Sequence, residues 1–325
     1  MRKGFQKHLL LALIVCLFFC LTLSVLPSKF QGKGYDYDFH FQKAKGASIT
    51  STGKNVANYP PLYSLLSGFF SFRETVFYLS GLFFLGLLTP MLLVFITRNW
   101  VTALFYFCTT SYFYFFEQGV YPFALALFLC FLVLYFKNLW ARLALLPVAL
   151  LTHSIGFQLV GVFLIIVLLQ EAGLFERLFK LLPFFPACSG YFPTDRPAGL
   201  LDPDLLPQYI VSTSGSGASR ALDMGKFLKL NVEIIPLPFL IMSVKGFFVN
   251  RDWHLLVLFA GFLTAGVWHY RFFYVAALVS LIGLTSFYKR LSGWWRVGFL
   301  ALVLAWGVFQ FVMWFRYKFF CFPLG

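Results

Sequence analysis

The sequence predicts an all-α, polytopic transmembrane protein of about ten or eleven spans. Three observations carry that reading. Of 325 residues, 60% are hydrophobic and only 12% are charged, about half the charged share of a soluble domain. Several apolar runs reach the roughly 17–25 residues that a helix needs to cross a bilayer. The basic residues fall mostly in short connections between those runs or in two longer loops, where membrane proteins put them.

The elements follow in order. "MRKGFQKHLLLALIVCLFFCLTLSVLPSK" starts basic and continues apolar without an A-x-A-like cleavage site. It reads as an uncleaved signal-anchor helix over residues 8–26. A polar loop, 27–58, follows. "YPPLYSLLSGFFSF", 59–72, is too short to cross, and its proline pair suits a helix start. It reads as a juxtamembrane or re-entrant helix, so that 27–72 forms one outer unit. Spans are then expected over 75–96, 100–116 and 119–136. The stretch 141–170 is either one long tilted helix or two short ones broken near Thr152-His153-Ser154. A further span is expected over 178–192, and a Pro-, Gly- and Ser-rich loop over 193–225. The last spans are expected over 227–249, 253–268, 272–287 and 297–315, the whole chain forming a single transmembrane domain.

Composition also excludes functions. A net charge of +14 points to nucleic acid in a soluble protein. Here membrane topology and anionic headgroups account for it, and no zinc or RNA-binding signature accompanies it. The six cysteines make no C-x-x-C, and most lie in apolar runs, so they read as small packing residues. "STSGSGAS" in the second loop lacks the G-K-[ST] of a phosphate-binding loop. There is no G-x-S-x-G.

Orientation follows the short connections. With the N-terminus in the cytoplasm, the inner connections hold Arg98, Lys137, Arg142, Arg177, Lys180, Lys245, Arg251, Lys289, Arg290 and Arg296. The outer ones at 117–119 and 152–154 have no Lys or Arg. The five lysines of loop 27–58 oppose this assignment, and its parity requires the break at His153. It gathers Asp36, Asp38, Glu117, His153, Asp202, Asp204, His269 and Arg271 on the extracytoplasmic or lumenal face. Charged groups at a membrane boundary are costly and mark functional sites.

Asp36 and Asp38 carry the most chemistry. A carboxylate can take the proton of an attacking hydroxyl, and a pair of them can hold a hard cation, Mg²⁺ or Mn²⁺. A solvated loop is the plain alternative. Arg271 suits a lipid phosphate, since a guanidinium stays charged and binds bidentately; an interfacial anchor is its alternative. Glu117, His153 and His269 are titratable groups at the same face, with ordinary interfacial roles as the alternative.

The order of first span, outer D-x-D loop and "YPPL" helix resembles the GT-C superfamily of membrane glycosyltransferases. The likeness is closest to the mannosyltransferases of GPI-anchor synthesis and those that use dolichol-phosphate-mannose. It rests on Tyr35-Asp36-Tyr37-Asp38 followed by Tyr59-Pro60-Pro61-Leu62, on "EQGVYPFALALFLCFLVLYFKN" from Glu117, on "LALLPVALLTHSIGFQLV" around His153, and on "WHYRFFYVAALVSL". The last is similar to an "HKExRF" stretch, with Tyr270 in place of Lys-Glu. The resemblance implies a polyprenyl- or dolichyl-phosphate sugar as donor and a glycan, lipid or protein as acceptor. Asp36, Asp38 and Glu117 would be catalytic, and His153, His269, Arg271 and Tyr59 would bind the donor. The rivals are a multi-span transporter, a lipid-linked glycan flippase or polymerase, and a membrane scaffold without catalysis.

Overall fold

The computed structural model describes residues 3–24, 50–51, 54–55, 62, 79, 81–108, 121–153, 155–181, 237–266 and 271–317. Among them the protein is helical apart from two paired dipeptides. Eleven helices are present: α1 (Lys3–Ser24), α2 (Leu82–Thr97), α3 (Val101–Phe107), α4 (Tyr121–Tyr135), α5 (Leu139–Thr152), α6 (Gly156–Glu171), α7 (Leu174–Leu181), α8 (Leu237–Asn250), α9 (Trp253–Ala265), α10 (Arg271–Arg290) and α11 (Gly293–Tyr317). Three stretches are long and apolar enough to cross a membrane: Gly4–Thr22, Phe272–Arg290 and Gly293–Val312. The two dipeptides, Thr50–Ser51 and Lys54–Asn55, pair antiparallel inside the first polar loop.

The 141–170 stretch is two helices. α5 stops at Thr152, His153 turns to an extended backbone (φ −151°, ψ 146°), and α6 begins at Gly156. The expected span at 178–192 starts inside α7, whose sequence LFERLFKL is amphipathic; residues 182–192 lie outside the described residues. The opening of α2 is a π-helical stretch, Leu82–Leu88, just before Pro90. Proline has no N–H to give its preceding turn and crowds the carbonyl there, and a widened turn relieves both. The backbone N–H and the hydroxyl of Thr89 both donate to the Phe84 carbonyl, the hydroxyl at 2.8 Å.

Between apolar helices in lipid, packing and polar contacts hold the bundle rather than a difference in hydrophobicity. α10 is the central element: 83% of its apolar window is buried, against 11% for α1 and 17% for α11. It packs parallel to α8 through small residues. A Cβ on Gly246 would lie 1.9 Å from the Gly283 carbonyl oxygen, and one on Gly283 would lie 2.4 Å from the Ser243 carbonyl oxygen. α1 joins through Phe19, stacked on Phe107 with centroids 4.4 Å apart. α11 docks through Phe299, whose ring meets Phe105, Phe239, Phe287 and Tyr288. The described cysteines, Cys16, Cys20, Cys108 and Cys130, are free thiols.

One end of the bundle is basic, and its contacts link connections far apart in sequence. Arg98 lies over the Phe5 ring at 4.7 Å. The Lys289 ammonium donates to the Thr97 carbonyl. Buried Arg142 donates through Nε to the carbonyls of Val133 and Phe136, at 3.1 and 2.6 Å. A cation there offsets the negative end of α4. Its Nη1 lies 2.8 Å from Glu171 Oε1 as an ion pair without hydrogen-bond alignment. The inner connections expected from the sequence that fall among these residues therefore meet at one end.

Candidate functional site

At the opposite end α5 stops at its cap His153 and α6 begins at Gly156, α9 stops at its cap Gly266 and α10 begins at Arg271, and a cleft lies between α6, α9 and α10. His153 sets the turn from α5 to α6. Its backbone N–H donates to the Ala149 carbonyl at 3.2 Å, and the Gly156 N–H donates to the His153 carbonyl at 2.8 Å. The ring Nδ1 accepts from the Ile155 N–H at 3.2 Å. An accepting Nδ1 carries no proton, so the ring's N–H is at Nε2. The imidazole is 5% exposed and stands edge-on to Phe123, with centroids 5.4 Å apart. Gly156 permits the tight reversal: a Cβ there would sit 2.6 Å from the Ala149 carbonyl oxygen.

The cleft has a volume of about 380 Å³, within the range of small-molecule sites. Ile155, Gln158, Leu159, Val162 and Ile166 form one wall, from the turn and α6. Val257, Leu258, Gly261, Phe262 and Ala265 of α9 form the other, and Phe272 of α10 completes it. Eleven residues of helix separate Ile155 from Ile166, about 16 Å of rise. The cleft is therefore a furrow running from the turn end toward the middle of the bundle. Gln158 is its one polar lining side chain. A Cβ on Gly261 would meet nothing within 4 Å, so this glycine leaves room in the wall.

The expected site residues divide. His153 is two positions before the lining residue Ile155 and Arg271 immediately precedes the lining residue Phe272, but neither is among the described residues that line the furrow itself. Arg271 is placed by its backbone, as the first residue of α10. Asp36, Asp38, Tyr59, Glu117 and His269 lie outside the described residues, and so does any cation site built on Asp36 and Asp38. Among the described residues no group of three His, Cys, Asp or Glu side chains is placed to hold a metal ion. Sequence reading missed Gln158, Gly261 and Phe262. An apolar residue facing a furrow has the same composition as one facing lipid.

Among the described residues, fold and furrow define a helical protein with three helices long and apolar enough to cross a membrane and an apolar cleft between α6, α9 and α10. No family model, no curated protein and no solved structure matches the chain.

Proposed function

We propose that the protein is a membrane glycosyltransferase of GT-C type. It moves a sugar from a polyprenyl- or dolichyl-phosphate donor to an acceptor at the extracytoplasmic face. One observation supports the reading: an apolar furrow is lined by Ile155 and Phe272, close in sequence to His153 and Arg271. A lipid-linked sugar needs an apolar groove for its tail ending at donors and cations for its phosphate. The furrow supplies the first. His153, with its N–H at Nε2, and Arg271 with His269 supply the second. These groups neutralise the charge that develops on the departing lipid phosphate. Asp36 or Asp38 takes the proton of the attacking hydroxyl. The other orients the acceptor, and either could also serve a divalent cation.

Gly261 offers the test, because it lines the furrow and a Cβ there meets nothing within 4 Å. Purified protein is incubated with labelled polyprenyl-phosphate sugars. Transfer by the parent is expected, with Gly261→Leu raising the KM for the lipid donor at least severalfold at an unchanged unfolding temperature. Absence of transfer from any donor by the parent would favour the transporter reading. Equal KM values in parent and variant would remove the furrow from donor binding.

A further inference from the structure

The basic end of the bundle carries exposed aromatic rings that none of the described helices covers. Trp140, Trp294 and Trp295 are 78%, 87% and 79% exposed. Each stands at the start of a helix, Trp140 in α5 and the other two in α11. α7 begins after a turn at Gly173 (φ 72°). Phe175 is buried, whereas Leu174 and Leu178, one turn apart, are 38% and 49% exposed beside the exposed Glu176 and Arg177. The described part of α7, Leu174–Leu181, puts its apolar positions on one face and Glu176, Arg177 and Lys180 on the other. An amphipathic helix of this kind lies in the interfacial plane.

The contacts place these features at one level. Arg142 pairs with Glu171, which joins the first turns of α5 to the residue three before α7. α7 also touches α9. Arg296 donates to the carbonyls of Leu291 and Lys289, at 2.7 and 3.3 Å, and Lys289 reaches the Thr97 carbonyl. Around the rings, Lys137, Arg177, Arg290 and Arg296 are exposed cations. The exposed carboxylates beside them are Glu171, already paired, and Glu176.

We propose that this end is a docking surface for anionic phospholipid headgroups. The three tryptophans and the Leu174–Leu178 face of α7 enter the headgroup layer, because an indole is an apolar body with one N–H to hydrate. Lys137, Arg177 and Arg290 meet the phosphates above it, the charge complement of an anionic leaflet. The assignment is independent of sugar transfer.

The test compares the full chain in nanodiscs of phosphatidylcholine alone and of phosphatidylcholine mixed with phosphatidylglycerol. The anionic lipid should raise the unfolding temperature by several degrees, and added salt should shrink that gain. The triple variant Lys137→Gln/Arg177→Gln/Arg290→Gln should lose most of the gain while unfolding with the parent in phosphatidylcholine. No gain in the parent, a gain insensitive to salt, or an undiminished gain in the triple variant would each overturn the proposal. Inorganic phosphate producing the same gain in phosphatidylcholine would also overturn it, by pointing to an ion site instead of a lipid surface. If the triple variant unfolds early in phosphatidylcholine, the parent's salt dependence alone decides.

Discussion

Three buried threonines show how single hydroxyls join helices in an apolar interior. Thr97 donates to the Leu93 carbonyl at 2.9 Å, and Thr285 donates to the Leu281 carbonyl at 2.7 Å. Thr102 lies between them, 2.6 Å from Thr97 Oγ1 and 2.9 Å from Thr285 Oγ1. With two protons committed to carbonyls, the Thr102 proton serves one neighbour at a time. Thr102→Val keeps the shape and removes only that shared proton. Both neighbours retain a carbonyl, so a loss of about 0.6 kcal/mol is expected, the usual scale for such bonds between membrane helices. Thr102→Ala should cost more, since it also opens a void. Denaturant unfolding in detergent separates the two; equal losses would mean that the hydroxyl, not the methyl, carries the effect. Asp252, in the connection before α9, gives a pH-dependent counterpart. Burial raises its carboxyl above the ordinary 3.8, against smaller lowering effects from Asn250 and Lys289. A raised folded value means that its contribution to stability is fullest below the unfolded pKa and is lost as pH climbs through the folded one. Asp252→Asn should flatten the stability profile over that acidic window. A profile unchanged by the substitution would remove Asp252 as its source.

At the scale of elements, the α8–α10 contact and the interior of α6 make opposite demands on the same substitution. Gly246→Ala puts a methyl where the Gly283 carbonyl already is, so the helices must part. Overpacking of this kind costs about 1–3 kcal/mol. Gly161→Ala meets nothing within 4 Å, and a helical alanine in place of glycine gains up to about 1 kcal/mol. Unfolding of the two variants should therefore shift in opposite directions; a neutral Gly246→Ala would mean that α8 and α10 stand further apart. The sequence made some of these elements legible and hid others. Thr152-His153-Ser154 between two apolar halves announced a break, because polar groups interrupt a run only where they find partners, and His153 finds the Ile155 N–H. α7 was hidden because LFERLFKL adjoins further apolar residues, and a window wide enough to find spans averages its charged face away. The furrow was hidden for another reason. Its walls come from residues 155–166 and 257–272, and which face of an apolar helix turns toward a neighbour leaves no mark in composition when lipid is equally apolar.

At the scale of the whole molecule, the described charged connections gather at one end. The connections holding Arg98, Arg142, Glu171, Asp252 and Lys289 share contacts at one end, and the His153 turn and the start of α10 border the furrow at the other. α5, α6, α9 and α10 each run from one end to the other. Short basic connections stay in the cytoplasm, so the furrow should open on the extracytoplasmic side, where a lipid-linked sugar is consumed under the proposed function. The break between α5 and α6 fixes the parity: with one continuous helix in their place, every later connection would change sides. Cysteine substitutions read this directly in intact cells with a membrane-impermeant thiol reagent. Ser48→Cys in the first polar loop and Ser214→Cys in the second should both gain label over the parent chain. Lys137→Cys and Arg290→Cys should gain label only after the membrane is permeabilised. With the crossing expected between α7 and the second loop, the broken helix makes six crossings between the two loops, so they should agree. Label at Ser48 without label at Ser214 would mean that the crossings between the loops are odd in number. Label at Lys137 in unopened cells would invert the molecule and put the furrow, with His153 and Arg271, in the cytoplasm.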